Sequence, residues 1–406
     1  MAFLKYSVFV ILISVFCLTG KTQDQVQLHI ESGEHDRVSA PVEFAWPDAA
    51  SSTDSIWGSE DGAHLVRVRN GRALTILHHL QAGEELDVTL NQISHSNIIP
   101  SGSISDTGMS LVVASGGRHH VNPLEYIYKP QLPRHDIDPI YERSGYLHPV
   151  RTPSGLIITD DYPDEAHTHH HGIWFPWTKT VFQGRHPDFW NMGGGSGRVE
   201  FTNLDSTWDG PVHTGFSARH RFVDMSATPE VIALNEKWDV RFYAIGFGER
   251  TFHLFDLIST QTCATDDPLH LPEYRYGGIG IRGHEQWNGV DNCHFLTANG
   301  ETDRIKAHAT RANWCHMGGQ IDGQWAGITI MGHPDNFRSP QPMRVHPHEP
   351  FFNFAPSQAG DWTIEPGKPY ISKYRFIVSD GKPDPELLSQ LWIDYSQPPV
   401  VQATKP

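Results

Sequence analysis

Trp238-Asp239-Val240-Arg241-Phe242-Tyr243 alternates apolar and polar side chains with the two-residue period of a strand that shows one face to a core. Similar alternation runs through residues 199–203 and 215–222 before it, and through 252–258, 326–331 and 370–378 after it. Helical periodicity is nearly absent, residues 385–395 being the candidate exception. No strand–helix–strand rhythm is present, which argues against a parallel sheet, and no fixed-period repeat, which argues against a propeller. Many strands of similar length separated by turns predict an all-β protein, a large antiparallel β-sandwich over residues 121–396.

Working outward, residues 24–120 hold shorter alternating runs at 26–30, 65–68 and 86–90, broken by turn segments such as Gln81-Ala82-Gly83-Glu84. They read as a small N-terminal β module. Residues 397–406 read as a C-terminal tail. At the other end, Lys5 precedes an almost continuous apolar run from Tyr6 to Leu18, followed by Thr19, Gly20 and Lys21. Residues 1–23 therefore read as a secretory signal peptide. Val15 and Phe16 before Cys17 fit a lipoprotein signal poorly. No later stretch reaches the ~18 apolar residues of a spanning helix. The expectation is an exported protein, periplasmic or extracellular, with no membrane contact in its mature form.

Lys plus Arg number 31 and Asp plus Glu 47, a formal charge of −16, which disfavours nucleic acid as a partner. Once Cys17 leaves with the signal, Cys263, Cys293 and Cys315 remain. They allow one disulfide plus a buried thiol, or three buried thiols, and none has the CxxC spacing of a thiolate zinc site.

The chain carries 26 histidines, and its most informative stretch is Asp160-Asp161-Tyr162-Pro163-Asp164-Glu165-Ala166-His167-Thr168-His169-His170-His171-Gly172-Ile173-Trp174-Phe175. It lies in a segment, 121–200, dense in aromatics, His, Pro and Gly but weak in periodicity, the signature of packed loops on a functional face. In an extended chain His167, His169 and His171 would share one face, with His170 opposite. Three imidazoles on one face suit proton transfer near neutral pH or, alternatively, a metal ion. Packing against Trp174 and Trp177 is the structural alternative. Tyr146, His148, Lys179, Arg185, His186, Asp188 and Trp190 lie in the same segment.

Two further clusters qualify. Glu273-Tyr274-Arg275-Tyr276-Gly277-Gly278-Ile279-Gly280-Ile281-Arg282-Gly283 has glycines that allow close backbone approach, with Arg275 or Arg282 available for an anionic or hydroxylated ligand. Arg311-Ala312-Asn313-Trp314-Cys315 and Gly332-His333-Pro334-Asp335-Asn336 offer a stacking platform, a cation and a carboxylate, as sugar rings require. Glycoside hydrolysis needs two carboxylates, and Glu236, Asp256, Glu273 and Asp335 are available. No Gly-x-Ser-x-Gly elbow is present.

The runs Arg143-Ser144-Gly145-Tyr146-Leu147-His148-Pro149-Val150 and Pro153-Ser154-Gly155, the histidine run, Tyr276-Gly277-Gly278, Arg311-Ala312-Asn313-Trp314 and Gly332-His333-Pro334-Asp335-Asn336 together resemble a family of secreted bacterial proteins labelled "methane oxygenase PmoA". The resemblance covers residues from about 115 to 380, and the histidine run is its most specific part. It implies a secreted protein of saccharide metabolism. Methane oxidation does not come with the label, because the membrane subunit of that name needs transmembrane helices that this mature chain lacks.

The expectation is therefore a carbohydrate-active enzyme, a hydrolase or lyase acting on a small-molecule or oligosaccharide substrate, with no cofactor assigned. His167, His169, His170 and His171 would be catalytic. Tyr146, His148, Trp174, Arg282, Arg311, Trp314 and Asp335 would bind substrate in the same pocket. The alternatives are a His-ligated metalloenzyme of oxygenase type and a non-catalytic sugar-binding protein.

Overall fold

The structure, a computed structural model, describes residues 25–47, 54–94, 102–115, 121–130, 136–163, 167–245 and 252–406. The expected signal peptide lies outside them. As the alternation predicts, the protein is almost all β, with antiparallel sheets.

The sandwich consists of two eight-stranded sheets. The first, with long strands, runs in the order Gly197–Trp208, His213–Asp224, Val231–Tyr243, Phe252–Cys263, Tyr370–Asp380, Gln324–Gly332, Trp314–Ile321, Cys293–Thr297. The second, with short strands, runs Met343–Val345, Phe351–Phe354, Gly280–Arg282, Ile173–Trp174, Tyr146–Val150, Leu124–Ile127, Ser110–Ser115, Gly102–Asp106. The alternation sorts each strand. Trp238, Val240 and Phe242 point into the shared core, where they join Phe255, Leu257 and Phe376 of their own sheet and Leu147, Ile173, Ile281, Phe352 and Phe354 of the facing one.

The outward residues of the long-stranded sheet are covered as well. Tyr243, Leu254, Trp314, Met331 and Ile377 pack against Leu388 and Leu391 of the helix Pro385–Ser396 and against Leu74 and Ile76 of the N-terminal module. Asp384 caps that helix by accepting the N–H groups of Glu386 and Leu387, and Pro385 takes the first turn, where its missing N–H is harmless. From the same helix Asp394 accepts Val38 N–H at 3.1 Å and faces the Arg37 guanidinium at 3.3 Å, tying helix to module.

The module is a seven-stranded sheet ordered Arg37–Ala45, Arg72–Leu80, Leu65–Arg69, Ser55–Ser59, Glu85–Ile93, Gln25–Glu31, Val400–Thr404. Two boundaries shift from the sequence reading. The supposed tail contributes Val400–Thr404, which pairs antiparallel with Gln25–Glu31. Gly102–Asp106 and Ser110–Ser115 fall before residue 120 yet belong to the sandwich. Neither shift is visible in a two-residue period, because strand partners distant in sequence leave no local trace. Cys263, Cys293 and Cys315 are three free thiols.

Asp256, conspicuous in its apolar strand, is structural. Arg375 on the adjacent strand donates to both its oxygens at 2.8 and 2.9 Å, and Tyr243 OH donates at 2.8 Å. Replacing Arg375 by Met leaves a buried carboxylate without its cation and is expected to destabilise the fold by about 3–5 kcal/mol. The double change Arg375→Met with Asp256→Leu removes both charges and should recover most of that loss. Urea unfolding reads both; a double variant no more stable than the single would contradict the assignment.

Candidate functional site

The short-stranded sheet turns its inward residues to the core and its outward residues to a separate cluster. Tyr146, Trp174 and Phe351 form this outer layer with Ile127 and Trp190, and Tyr276 packs on its margin. Gly280 sits opposite Trp174 in the ladder. A Cβ there would lie 3.2–3.3 Å from the rings of Trp190 and Trp174, so the glycine makes room for the pair of indoles. These rings are buried and form a floor.

The histidine run crosses this floor as a turn, not as an extended strand. His170 N–H donates to His167 C=O at 2.7 Å, and His167 has a left-handed backbone (φ 62°). Histidine is among the non-glycine side chains that adopt this region most readily, and nine other described non-glycine residues share a positive φ, so the backbone here turns without unusual strain. The turn breaks the expected three-on-one-face pattern. His167 and His169 stay half-buried at the surface, whereas His170 and His171 go under it.

His170 lies between the His167 ring, stacked at 4.8 Å, and Phe351, stacked at 4.7 Å. Burial holds it well below the ordinary histidine range, so it remains neutral packing. His171 is wedged between Tyr146 and Tyr162, and its Nδ1 lies 2.7 Å from Asp161 Oδ1; Tyr146 OH donates to Asp161 Oδ2 at 2.9 Å. Burial pushes Asp161 up to about 6 and His171 well down, so the pair avoids charge separation as the pH falls. Tyr146 and Trp174, expected to touch substrate, are 1% and 0% exposed and support the site from below. His148 is held by Thr159 Oγ1 at 3.0 Å.

The surface group is built from two stretches far apart in sequence. His167 Nδ1 lies 3.0 Å from Glu349 Oε1. The other oxygen of Glu349 accepts from Arg282 at 2.6 Å, and Arg282 also donates to Asn288 at 2.7 Å. Burial would raise Glu349, but His167 and Arg282 outweigh it and hold the carboxylate at about 2. The contact is electrostatic rather than an aligned hydrogen bond, since His167 Nδ1 is buried without a hydrogen-bond partner. An ionised Glu349 beside it favours the tautomer with its proton on Nδ1 and a free Nε2 lone pair. The ring is 36% exposed, enough for Nε2 to meet a ligand. His346 joins the group, its ring 5.6 Å from that of His167.

His167, His346 and Glu349 each bring a ligand atom within 4.8 Å of the others, the two-histidine, one-carboxylate set that suits a divalent metal. The hydrogen bonds already in place compete with that use. His346 Nδ1 accepts the N–H groups of His348 at 3.3 Å and Glu349 at 3.0 Å, which places its own proton on Nε2. Glu349 is engaged at both oxygens. His346 Nδ1 and one oxygen of Glu349 are held by hydrogen bonds that a metal would have to displace, whereas His167 Nδ1, 3.0 Å from Glu349, has no aligned hydrogen-bond partner.

The expected single pocket does not gather every residue. Arg311 donates to the carbonyls of Arg338 and Pro340 at 2.7 and 2.6 Å. Trp314 is buried on the outer face of the long-stranded sheet, beneath the helix and module. Asp335 is exposed and pairs with Lys373 at 2.8 Å. These three lie away from the histidine face. Arg282 belongs to it, as a positioning residue. Glu236 is spent inside the core on Ser259, Gln261 and His220. What sequence reasoning missed was His346 and Glu349. The signal was present: His346-Pro347-His348-Glu349 is a second histidine run.

Two outcomes follow. Burial depresses His169 and His316 to about 3 and His253 and His346 to about 4. The unfolded chain takes up these protons near ~6.5 and the native state does not, so stability is complete above that pH and falls as pH drops towards 4. Asp160, Asp161 and Asp394, raised by burial, act in the opposite sense, but the depressed histidines, with His170, His171 and His213 among them, outnumber them. The urea midpoint should therefore decline from pH 7 to 5; a flat profile would contradict the burial of these rings. Zinc or manganese added to protein purified without a histidine tag should leave the melting temperature unchanged. A rise of several degrees, lost in Glu349→Gln, would make the three side chains metal ligands instead.

No curated protein matches the chain significantly. Solved structures similar to it include the heparan sulfate lyase HepC from Pedobacter heparinus, at TM-score 0.32 and 11% identity over 70% of this chain and 35% of that one. A second is a protein in the glycosyl hydrolase family 38 from Enterococcus faecalis, at TM-score 0.44 and 10% identity over 95% of this chain and 48% of that one. The chain thus spans less than half the length of either. Residues 111–393, the sandwich and its histidine face, match a family of unknown function (DUF6807), and the protein belongs to that family.

Proposed function

We propose that this is an exported carbohydrate-active enzyme in which His167 transfers a proton to or from the sugar. The carrying observation is the contact of His167 Nδ1 with Glu349 at 3.0 Å, with Glu349 fixed by Arg282 at 2.6 Å. A carboxylate behind an imidazole selects the tautomer whose outer nitrogen can act as a base and stabilises the ring when it takes the proton. His169 is pressed down to about 3 by burial and by its histidine neighbours, so at neutral pH it acts as a neutral hydrogen-bonding group rather than as a titrating acid. Tyr274 and Tyr276, half-buried at the margin and 4.9 Å apart, supply aromatic surface for the C–H faces of a sugar ring.

Elimination suits this chemistry better than a two-carboxylate hydrolysis. Among the described residues near the turn, Glu349 is already bound at both oxygens. Asp188 accepts from Thr178, Trp190 N–H, and both the backbone and side-chain amides of Asn191. Asp161 accepts from Tyr146 OH and contacts His171, and Asp160 accepts Asp161 N–H at 2.8 Å and faces Arg282 at 3.8 Å. None of these stands free as the second carboxylate that glycoside hydrolysis requires.

The test is incubation of the purified protein with a panel of oligosaccharides, read by mass: elimination leaves the summed product mass unchanged, whereas hydrolysis adds one water. On any substrate found, His167→Gln and Glu349→Gln should each lower kcat by about 10²-fold or more while the protein stays folded. A stable His167→Gln protein with an unchanged rate would remove His167 from the chemistry. Binding without turnover, indifferent to both substitutions, would leave a sugar-binding protein.

A further inference from the structure

We propose that the margin of the histidine face, formed by Arg344, Arg275 and Lys179, takes the acidic group of an anionic saccharide, a carboxylate or a sulfate. This inference rests on the saccharide reading above and names its substrate class.

The placement follows from strand alternation. Met343 and Val345 point into the core, so Arg344 between them points outward, on the side that carries Arg282 and Phe351. His346 follows two residues later, and Arg344 is close enough to His346 to help hold its ring neutral. Arg275 and Tyr276 reach the same margin from the neighbouring loop. Asn353 holds that loop, accepting from Gly277 N–H at 3.1 Å and donating to Ile279 C=O at 2.9 Å. Tyr276 then packs on Trp190 of the floor, ring centroids 5.1 Å apart, and its OH donates to Asn191 at 3.2 Å.

The charges there are unusual for this molecule. The protein carries a formal charge of −16, and several of its buried or half-buried arginines are paired: Arg282 with Glu349, Arg375 with Asp256, Arg67 with Asp54, Arg241 with Glu43. Others, Arg304 and Arg338, donate to backbone carbonyls, and the Arg143 guanidinium is buried with no hydrogen-bond partner. Arg344, Arg275 and Lys179 have no carboxylate within ion-pair distance among the described residues. Arg275 lies over the rings of Tyr274 and Tyr276, at 5.9 and 5.6 Å, and Lys179 lies over Tyr274 at 5.5 Å. Arg344 is half-buried, and the Gln358 amide brings its strand to the Arg275 loop by donating to Arg275 C=O at 2.7 Å and to Met343 C=O at 3.3 Å; burial and the Arg275 charge both lower the Arg344 pKa. Two guanidinium groups held together without an anion repel one another, and a bound carboxylate or sulfate would relieve that repulsion through charge-assisted hydrogen bonds. The nearby Glu349 cannot serve, because Arg282 and His167 already hold it.

Two matched pairs of probes test the idea on the full chain by calorimetry: oligogalacturonate against its methyl ester, and a sulfated galactan oligosaccharide against its desulfated form. Each pair keeps the skeleton and removes the charge. The charged member of at least one pair should bind about tenfold tighter or more, the order of one charge-assisted pair. Which pair discriminates tells carboxylate from sulfate. The preference should shrink as salt is raised, and Arg344→Gln combined with Arg275→Gln should abolish it without lowering the melting temperature. Charged and neutral members bound equally well would overturn this proposal and leave the saccharide reading intact. No binding of any of these probes, together with no turnover or binding across the wider panel, would remove both.

Discussion

Arg282 is the point on which the histidine face depends. Its guanidinium is buried, at 2% exposure, and a buried cation is tolerated only when paired and hydrogen-bonded. Glu349 and Asn288 provide that partnership through its side chain. Its backbone does as much: its N–H donates to Gly172 C=O at 2.8 Å, and its C=O accepts from Asp160 N–H at 3.1 Å. One residue thereby fixes both ends of the histidine stretch and the opposing turn that carries Glu349. The His167–Glu349 contact is a consequence of this pinning.

The layers explain why the chemistry sits where it does. A sandwich has one shared core and two outer faces, and each outer face must be covered or used. The long-stranded sheet spends its outer face on the helix Pro385–Ser396 and the N-terminal module. The short-stranded sheet has strands as brief as Ile173–Trp174, so long connections run over its outer face and supply His167, His169, Asp188, Tyr276 and Glu349. Short strands and long loops are what allow one face to hold so many polar side chains over an aromatic floor.

Several residues that stand out in the sequence serve this scaffold. Asp256 answers Arg375, Glu236 anchors a core network reaching His220 and Tyr126, and Trp314 seals the interface under the helix. Their chemistry is conspicuous because burial demands a partner, and sequence shows the group without its partner. The four histidines likewise divide: His170 and His171 pack below, while His167 and His169 face outward.

The sequence by itself determined the all-β architecture, the helix near the C-terminus and the position of the histidine face. These are legible because a two-residue or 3.6-residue period and a capped helix start are local properties of the chain. Only the tertiary structure decided which groups meet. The left-handed turn at His167 cancels the alternation that would have set three histidines on one face. Glu349, some 180 residues beyond that turn, reaches it through sheet pairing that joins Phe351 to Arg282, while the pairing of Trp314 with Met331 in the other sheet puts Trp314 beneath the helix. Register between distant strands is fixed by packing of the whole core, so no local pattern could announce it.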